Sequence, residues 1–298
     1  MITEKEAPMN QMPYATYHEN KSHTTPDFPY NTYLCSIPLD FAEVPAHWHN
    51  EAELIVVKKG AGRIDVDLSS YDAEQGTMFF ILPGQLHSIH RKPPFTMEYE
   101  NIIFDISILG TEENDLCRRL LQPLFSGRLH HPVKIDDTLS YYNQACERID
   151  AIDSLCSEKK YGYQLAVKGN LFLLMQLLVT NHSERNESLR QNRSIEKVKL
   201  VLSFIADNYT RRITIDEAAA VCYYSASHFM KFFKDAMGTS FTSYLNNYRL
   251  RIAGQLLLST GDSVLEISER TGFDNLSYFT RSFKRKYGVS PGQYRKSR

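Results

Sequence analysis

Adding fifty to a residue number in the last hundred residues of this 298-residue chain lands on its counterpart in a second copy of one pattern. Ser227, Phe229, Phe233, Lys234, Gly238, Ser240 and Tyr244 map onto Ser277, Phe279, Phe283, Lys284, Gly288, Ser290 and Tyr294, and Lys231 maps onto Arg281. Such self-similarity, with aromatic residues at helical spacing and a glycine closing each copy, constrains the segment to two copies of one helical unit. Punctuation within the copies agrees. Thr214 with Glu217, and Ser263 with Glu266, form capping boxes that open the short helices TIDEAAAVC and SVLEISER. A turn follows each, at Tyr223–Tyr224 or Gly272–Asp274, and Ser225 or Asn275 then caps a second helix that stops before Gly238 or Gly288. Short helix, tight turn and second helix make a helix-turn-helix unit, whose second helix enters the major groove of duplex DNA.

Phe229, Phe232, Phe233, Phe279 and Phe283 lie at helical spacing and are expected in the core, which leaves the remaining face of each second helix for chemistry. That face presents Ser227, His228, Lys231 and Lys234 in the first copy, and Ser277, Tyr278, Arg281, Lys284 and Arg285 in the second. Arginine and lysine donate to guanine O6 and N7 or to phosphate, and a capped helix N-terminus attracts phosphate. Residues in the first two turns reach base edges, so Ser227, Met230, Lys231, Leu276, Ser277 and Arg281 are the base-reading candidates. Ser225, Lys234, Asn275 and Lys284 are better placed for the DNA backbone. Between the units, SYLNNYRLRIAGQLLLS is expected to form one long helix, with Tyr244, Leu245, Tyr248, Ile252, Leu256 and Leu257 along one side, fixing the spacing of the two reading helices. The formal net charge of -1 conceals an asymmetry: residues 193–298 hold 17 basic and 9 acidic side chains, a balance of +8, and residues 1–192 carry -9. A polyanion-binding module attached to something of a different kind fits this split.

Residues 1–28 read as a loosely ordered, proline-containing arm. Over 29–110, short β-branched and aromatic runs such as AELIVVKKG, GRIDVDL, TMFFILPG and YENIIFDIS, broken by Gly, Pro and Asp, predict an all-β sandwich or small barrel. Over 111–183 the period turns helical. Leu171, Leu174, Met175 and Leu178 there line either an internal core or a partner helix. The polar run over 184–194 is the expected linker, which sets the DNA-binding region at 195–298. Five scattered cysteines with no C-x-x-C pair suit a reducing compartment. The N-terminus lacks the order of a signal peptide, and LFLLMQLLV is too short to span a bilayer, so a cytoplasmic protein without membrane partners is expected.

The segment from Ser194 to Tyr294 resembles the DNA-binding domain of AraC/XylS-type transcriptional regulators. The match is most specific over IAGQLLLSTGDSVLEISERTGFDNLSYFTRSFKRKYGVSPGQYR, where GF, D-x-x-SYF, FK, G-x-SP and YR all fall in register. The resemblance implies a regulator, an activator in the first instance, whose partners are double-stranded promoter DNA, a small-molecule effector, a second copy of itself and RNA polymerase. Leu276 stands at a position often polar in that family, which argues against hydrogen-bonded readout there. In the N-terminal half, AHWHNEAELIVVKKGAG and LPGQLHSIH resemble the two cupin motifs, in which His47, His49 and Glu53 meet His87 inside a small barrel. The implied architecture is α+β and multidomain: a cupin-like β-barrel with a helical dimerisation region, then an all-α domain of two helix-turn-helix units joined by a long helix. Together with Trp48 the four residues make the expected effector pocket. Imidazoles and a carboxylate also suit a divalent ion such as Fe, Mn, Ni or Zn. Pocket lining without a cofactor, metal ligation and a purely structural role therefore all stay open. A sensor, with carbohydrate as the effector class the resemblance suggests, is preferred over catalysis because no other residues here form a nucleophile and base pair. The rival is a metal-dependent cupin enzyme fused to a DNA-binding domain.

Overall fold

The computed structural model describes residues 27–40, 42–110, 115–126, 128–184 and 189–296. Most of the arm expected over 1–28 lies outside them. The chain divides at Leu189 into two compact units.

The N-terminal unit opens with seven strands: β1 (Tyr30–Ile37), β2 (Val44–His47), β3 (Ala52–Val66), β4 (Ser69–Glu74), β5 (Met78–Ile81), β6 (His87–Arg91) and β7 (Met97–Phe104). A 3-10 turn (Ile106–Leu109), helix α1 (Leu116–Phe125), two short strands β8 (Leu129–His130) and β9 (Lys134–Ile135), helices α2 (Tyr142–Glu158) and α3 (Tyr163–Thr180), and strand β10 (Ser183–Glu184) follow. Strand β3 organises the sheet. Its first half pairs with β5 and β7, its second half with β4 and β6, and β2 pairs onto β6. The change of partner coincides with a register shift against β7 at Val57/Lys59 and with Gly60, whose φ is +77°. A side chain on Gly60 would lie 1.9 Å from the Thr96 carbonyl oxygen, so only glycine lets the strands turn this corner.

Because side chains alternate along a strand, Leu54 and Val56 face one way and Glu53, Ile55 and Val57 the other. All are buried. The first set joins Met78, Phe80, Ile102 and Phe104 in a core completed by Ala145, Ile149 and Ile152 of α2 and Val167, Leu171, Leu174, Met175 and Leu178 of α3. Of the two roles open for the α3 stripe, the structure gives Leu171, Leu174, Met175 and Leu178 to the internal core, and none is available to a partner. The expected purely helical character of 111–183 is also corrected: β9 pairs with β5 and extends the main sheet, and β10 pairs with β8.

The C-terminal unit is helical: α4 (Leu189–Asn208), α5 (Ile215–Val221), α6 (Ala226–Met237), α7 (Phe241–Ser259), α8 (Val264–Arg270), α9 (Leu276–Tyr287) and α10 (Pro291–Lys296). Helix α4 begins inside the segment expected as linker, so from Leu189 onward 184–194 is helix. Helix α7 departs from the one-sided pattern expected of it. Phe241 and Tyr244 stack on Phe233 of α6, whereas Leu250, Ala253 and Leu257 enter a core with Ile267, Phe273, Phe279 and Phe283. Two helix-turn-helix units share this one helix, so it is buried on more than one side.

Truncating Leu174, fully buried between α3 and the sheet, to alanine is expected to destabilise the N-terminal unit by about 2–5 kcal/mol, read as an earlier urea midpoint. Leu173→Ala, one position along and half exposed, is expected to shift it by about 0.5 kcal/mol or less; equal losses at the two positions would contradict this orientation of α3.

Candidate functional site

Both capping boxes form. Thr214 Oγ1 accepts from the Glu217 N–H at 3.2 Å while Glu217 Oε2 accepts from the Thr214 N–H at 2.7 Å; Ser263 and Glu266 repeat the pattern at 3.2 and 2.7 Å. The second helices are capped as expected, with Ser225 Oγ accepting from the His228 N–H at 3.4 Å and Asn275 Oδ1 from the Tyr278 N–H at 2.8 Å. Gly238 and Gly288 close them in the left-handed conformation. Phe229, Phe233, Phe279 and Phe283 point inward, whereas Phe232, expected with them, is only half-buried and packs against the Tyr224 ring at 5.2 Å; Ser225, Ser227, His228, Met230, Lys231 and Lys234 at α6, with Asn275, Leu276, Ser277, Tyr278, Arg281 and Lys284 at α9, are exposed. Lys284, Arg285 and Lys286 gather in the last turn of α9.

Two of these side chains already have work inside the fold. Tyr278 Oη accepts from Asn246 Nδ2 of α7 at 3.0 Å, and the His228 ring lies 4.1 Å from that of Tyr224, over which Lys197 Nζ sits at 3.7 Å. Sequence reasoning placed Tyr223 in the turn before α6 but gave it no part in the site; it projects there, exposed, at a φ of +59°. It also passed over Arg249. From α7 the buried Arg249 guanidinium donates to the carbonyls of Tyr209 and Arg211, at 2.8 and 2.6 Å, and burial pushes its pKa down.

In the N-terminal unit the structure brings four of the five expected pocket residues together. His47 ends β2, His49 follows in the turn, Glu53 faces inward from β3, and His87 opens β6 opposite His47. All are buried, and one ligand atom from each lies within 4.8 Å of the others. Glu53 Oε2 stands 3.0 Å from His49 Nε2 and 2.8 Å from His87 Nε2. The Gly84 N–H, in the turn before β6, donates to the His49 carbonyl at 2.8 Å, and Gln85 is held by Asp67 at 2.8 Å, so both histidine-bearing loops are tied down. Burial pushes the His47 pKa well below the usual histidine range, and the imidazoles of His87 and His49 add to it. For Glu53, burial acts upward but His87 and His49 outweigh it and hold the carboxyl well below the usual range. Trp48 is half-buried and contributes no ligand atom. A separate cleft of about 580 Å³, lined by Asp105, Leu109, Arg118, Leu121 and Phe125 among others, contains none of the five expected pocket residues.

Two family models match: the AraC-like ligand binding domain over residues 40–174 and a helix-turn-helix domain over 213–297. The chain belongs to the AraC family of transcriptional regulators. It is 24% identical to the uncharacterised HTH-type transcriptional regulator YdeC of Bacillus subtilis, across 93% of this chain and 95% of that one. It is 23% identical to the HTH-type transcriptional activator RhaS of Mannheimia succiniciproducens, across 84% and 89%. The solved C-terminal domain of the response regulator YesN from Fusobacterium nucleatum is 32% identical, with a TM-score of 0.33, and matches 34% of this chain and 98% of that one. Among the described residues no helix is long and apolar enough to cross a membrane.

In this AraC-family chain the capping box of α5 carries charge as well as hydrogen bonds. The Thr214 N–H, then the Arg211 guanidinium and the Thr214 hydroxyl, hold the exposed Glu217 carboxylate down at about 2. Since the folded pKa lies below the ordinary value of 4.5, the ionised cap stabilises the fold above 4.5 and loses that contribution as pH falls toward 2. Glu217→Gln keeps a capping side chain but not the charge. Wild type is expected to be the more stable of the two at neutral pH, with the difference shrinking as pH falls below 4.5, measured from paired urea midpoints; a pH-independent difference would contradict it.

Proposed function

We propose that this protein is an effector-responsive transcription factor that binds promoter DNA by laying the N-terminal turns of α6 and α9 in successive stretches of major groove. The observation that carries the proposal is the pair of equivalent capped helices, fifty residues apart, each with a buried Phe-Phe face and an exposed basic one. Lys231 and Arg281 occupy the matching base-reading position, and Ser227, Ser277, Met230 and Leu276 stand beside them. Half-exposed Met230 and Leu276 suit apolar contact with thymine methyl groups. Ser225, Asn275, Lys234 and Lys284 hold phosphates, and His228 and Tyr278 support the helices from the flank rather than reading bases. The protein acts in the cytoplasm, where the DNA is, and as an activator that engages RNA polymerase; the relative named an activator supports this sign.

The N-terminal unit senses a small polar effector at the His47–Trp48–His49–Glu53–His87 end of the barrel, with carbohydrates the first class to screen. The regulator functions as a homodimer. With the inner stripe of α3 committed to the core, the face left for a second copy carries Leu165, 78% exposed, and Leu173. Leu173→Glu is expected to shift sedimentation from dimer to monomer with an unchanged melting temperature, and an unshifted dimer would place the interface elsewhere.

Arg281→Ala is expected to weaken binding to a selected operator by about 1–3 kcal/mol and to relax preference at one base pair, whereas Lys284→Ala weakens all duplexes alike and lowers the salt slope by about one. Titrations of both variants against the operator and its single-base variants check this. Unchanged affinity of Arg281→Ala for every duplex would refute the assignment.

A further inference from the structure

We propose that the cleft between the 3-10 segment Ile106–Leu109 and helix α1 is a second small-molecule site, which takes a compact apolar carboxylic acid with its carboxylate on Arg118. The cleft holds about 580 Å³, a volume in the range of small-ligand pockets, and none of its lining residues belongs to the histidine-bearing end of the barrel.

Its walls are two short elements packed on one helix. The 3-10 segment and α1 both contact α3. The end of the first lies against the start of the second, since a side chain on Gly110 would come within 3.1 Å of the Asp115 carboxyl. Along α1 and its cap, Arg118, Leu121, Gln122, Phe125 and Ser126 recur at three- and four-residue spacing and make the stripe that faces the cleft. Leu109 and Leu121 are buried members of the main core, and Ile106 and Phe125 pack against it. The floor of the cleft is therefore the edge of the core, and an apolar body seated there extends that core and is itself withdrawn from water.

The polar groups select the head group. Asp105, at the far end of the 3-10 segment, already serves the fold, its Oδ1 accepting from the Ser107 N–H at 2.7 Å. Asp115 Oδ1 accepts from the Cys117 and Arg118 N–H groups at 2.7 and 3.3 Å, so the N-terminus of α1 has its anion and the attraction for another must come from side chains. Between Leu116 and Arg128 the sequence holds three arginines and no acidic residue, in a half of the chain that carries -9. Arg118 lines the cleft near the start of α1, and Arg128 Nε donates to Ser126 Oγ at 3.2 Å near its end. A guanidinium beside an apolar wall recognises a carboxylate by parallel N–H···O bonds while the wall takes the rest of the molecule. From Arg118 to Phe125 the helix rises about 10 Å, which suits an acid of one or two rings and is short for an extended chain.

The test measures binding of naphthoate to full-length protein by calorimetry, beside naphthylmethanol and naphthylmethylammonium, which keep the rings and change the head group. Saturable binding of naphthoate, one molecule per chain, is expected, with the alcohol about ten-fold weaker and the ammonium weaker still. Arg118→Ala is expected to weaken naphthoate about ten-fold and to change the alcohol by less than about two-fold, whereas Arg119→Ala, one position along α1, changes neither. Gln122→Trp, which puts an indole into the cleft, is expected to abolish binding of both, and Trp48→Ala, at the histidine end of the barrel, to keep it. Arg118, Arg119 and Gln122 are exposed, so their variants probe the cleft and not the fold. No saturation by naphthoate at millimolar concentration, or tighter binding of the ammonium, overturns the site on wild type alone. Equal effects of Arg118→Ala and Arg119→Ala on naphthoate overturn it as well. Loss of binding in Trp48→Ala with Gln122→Trp unchanged puts the acid in the barrel, which overturns the cleft and leaves the effector reading standing.

Discussion

Arg249 reaches from the middle of α7 to the carbonyls that end α4 and begin the loop to α5, and its burial makes those two bonds costly to lose. The same guanidinium backs onto the turn of the second helix-turn-helix unit. A side chain on Gly272, at a φ of +79°, would lie 2.3 Å from the Tyr209 carbonyl oxygen and 2.9 Å from Arg249 Nη2. One buried cation thus joins the first unit, the connecting helix and the turn of the second. DNA reading by paired helices requires a fixed distance and angle between them, because each must meet its own stretch of groove. Helix α7 sets that geometry by burying itself in both units, and Arg249 keeps it from rolling between them.

The N-terminal unit meets a comparable demand with a strand. The first half of β3 is apolar on both faces because helices cover one side and the barrel interior the other. Glu53 falls on the inward face by alternation alone, and a carboxylate in such a place persists only with partners. His49 and His87 supply them from the turn after β2 and from β6, and their pull on the carboxyl exceeds the opposing effect of burial. Placing charge in the middle of an otherwise hydrophobic strand costs stability that a larger apolar side chain would not, which is the pattern expected of a site rather than of a core.

What could be read from the sequence divides along the range of the interaction concerned. Capping boxes, turn residues, helix-closing glycines and the Phe-Phe faces are settled within four residues of chain, and each forms at the residues where the sequence places it. The two-residue strands β8, β9 and β10 have no periodicity to detect and exist only because partners lie beside them. Polar composition made the start of α4 look like a linker, although a helix so rich in charge still forms when its later turns bury Ile195, Val198, Val201, Leu202 and Ile205. The choice between core and partner for Leu171 and Leu174 was equally out of reach, since an apolar stripe states that something covers it and not what. Tyr278 was correctly expected to be exposed, but its bond to Asn246, thirty-two residues away, restricts it in a way exposure alone does not reveal.

The histidine cluster shows where residue identity stops and atoms begin. H-x-H-x(3)-E and a distant histidine named four side chains that the structure brings together, yet ligation, pocket lining and structural roles all accept the same letters. They differ in which ring nitrogen faces the centre. That choice is made by the carbonyls of Pro45, Glu51 and Gln85, each within two residues of the histidine it orients, and so by backbone conformation in two loops. Those loops are in turn held by Gly84 to His49 and by Gln85 to Asp67. Packing constrains the plane of a ring but is nearly indifferent to which nitrogen leads, so in all three rings it is the backbone contact that sets which nitrogen faces the carbonyl.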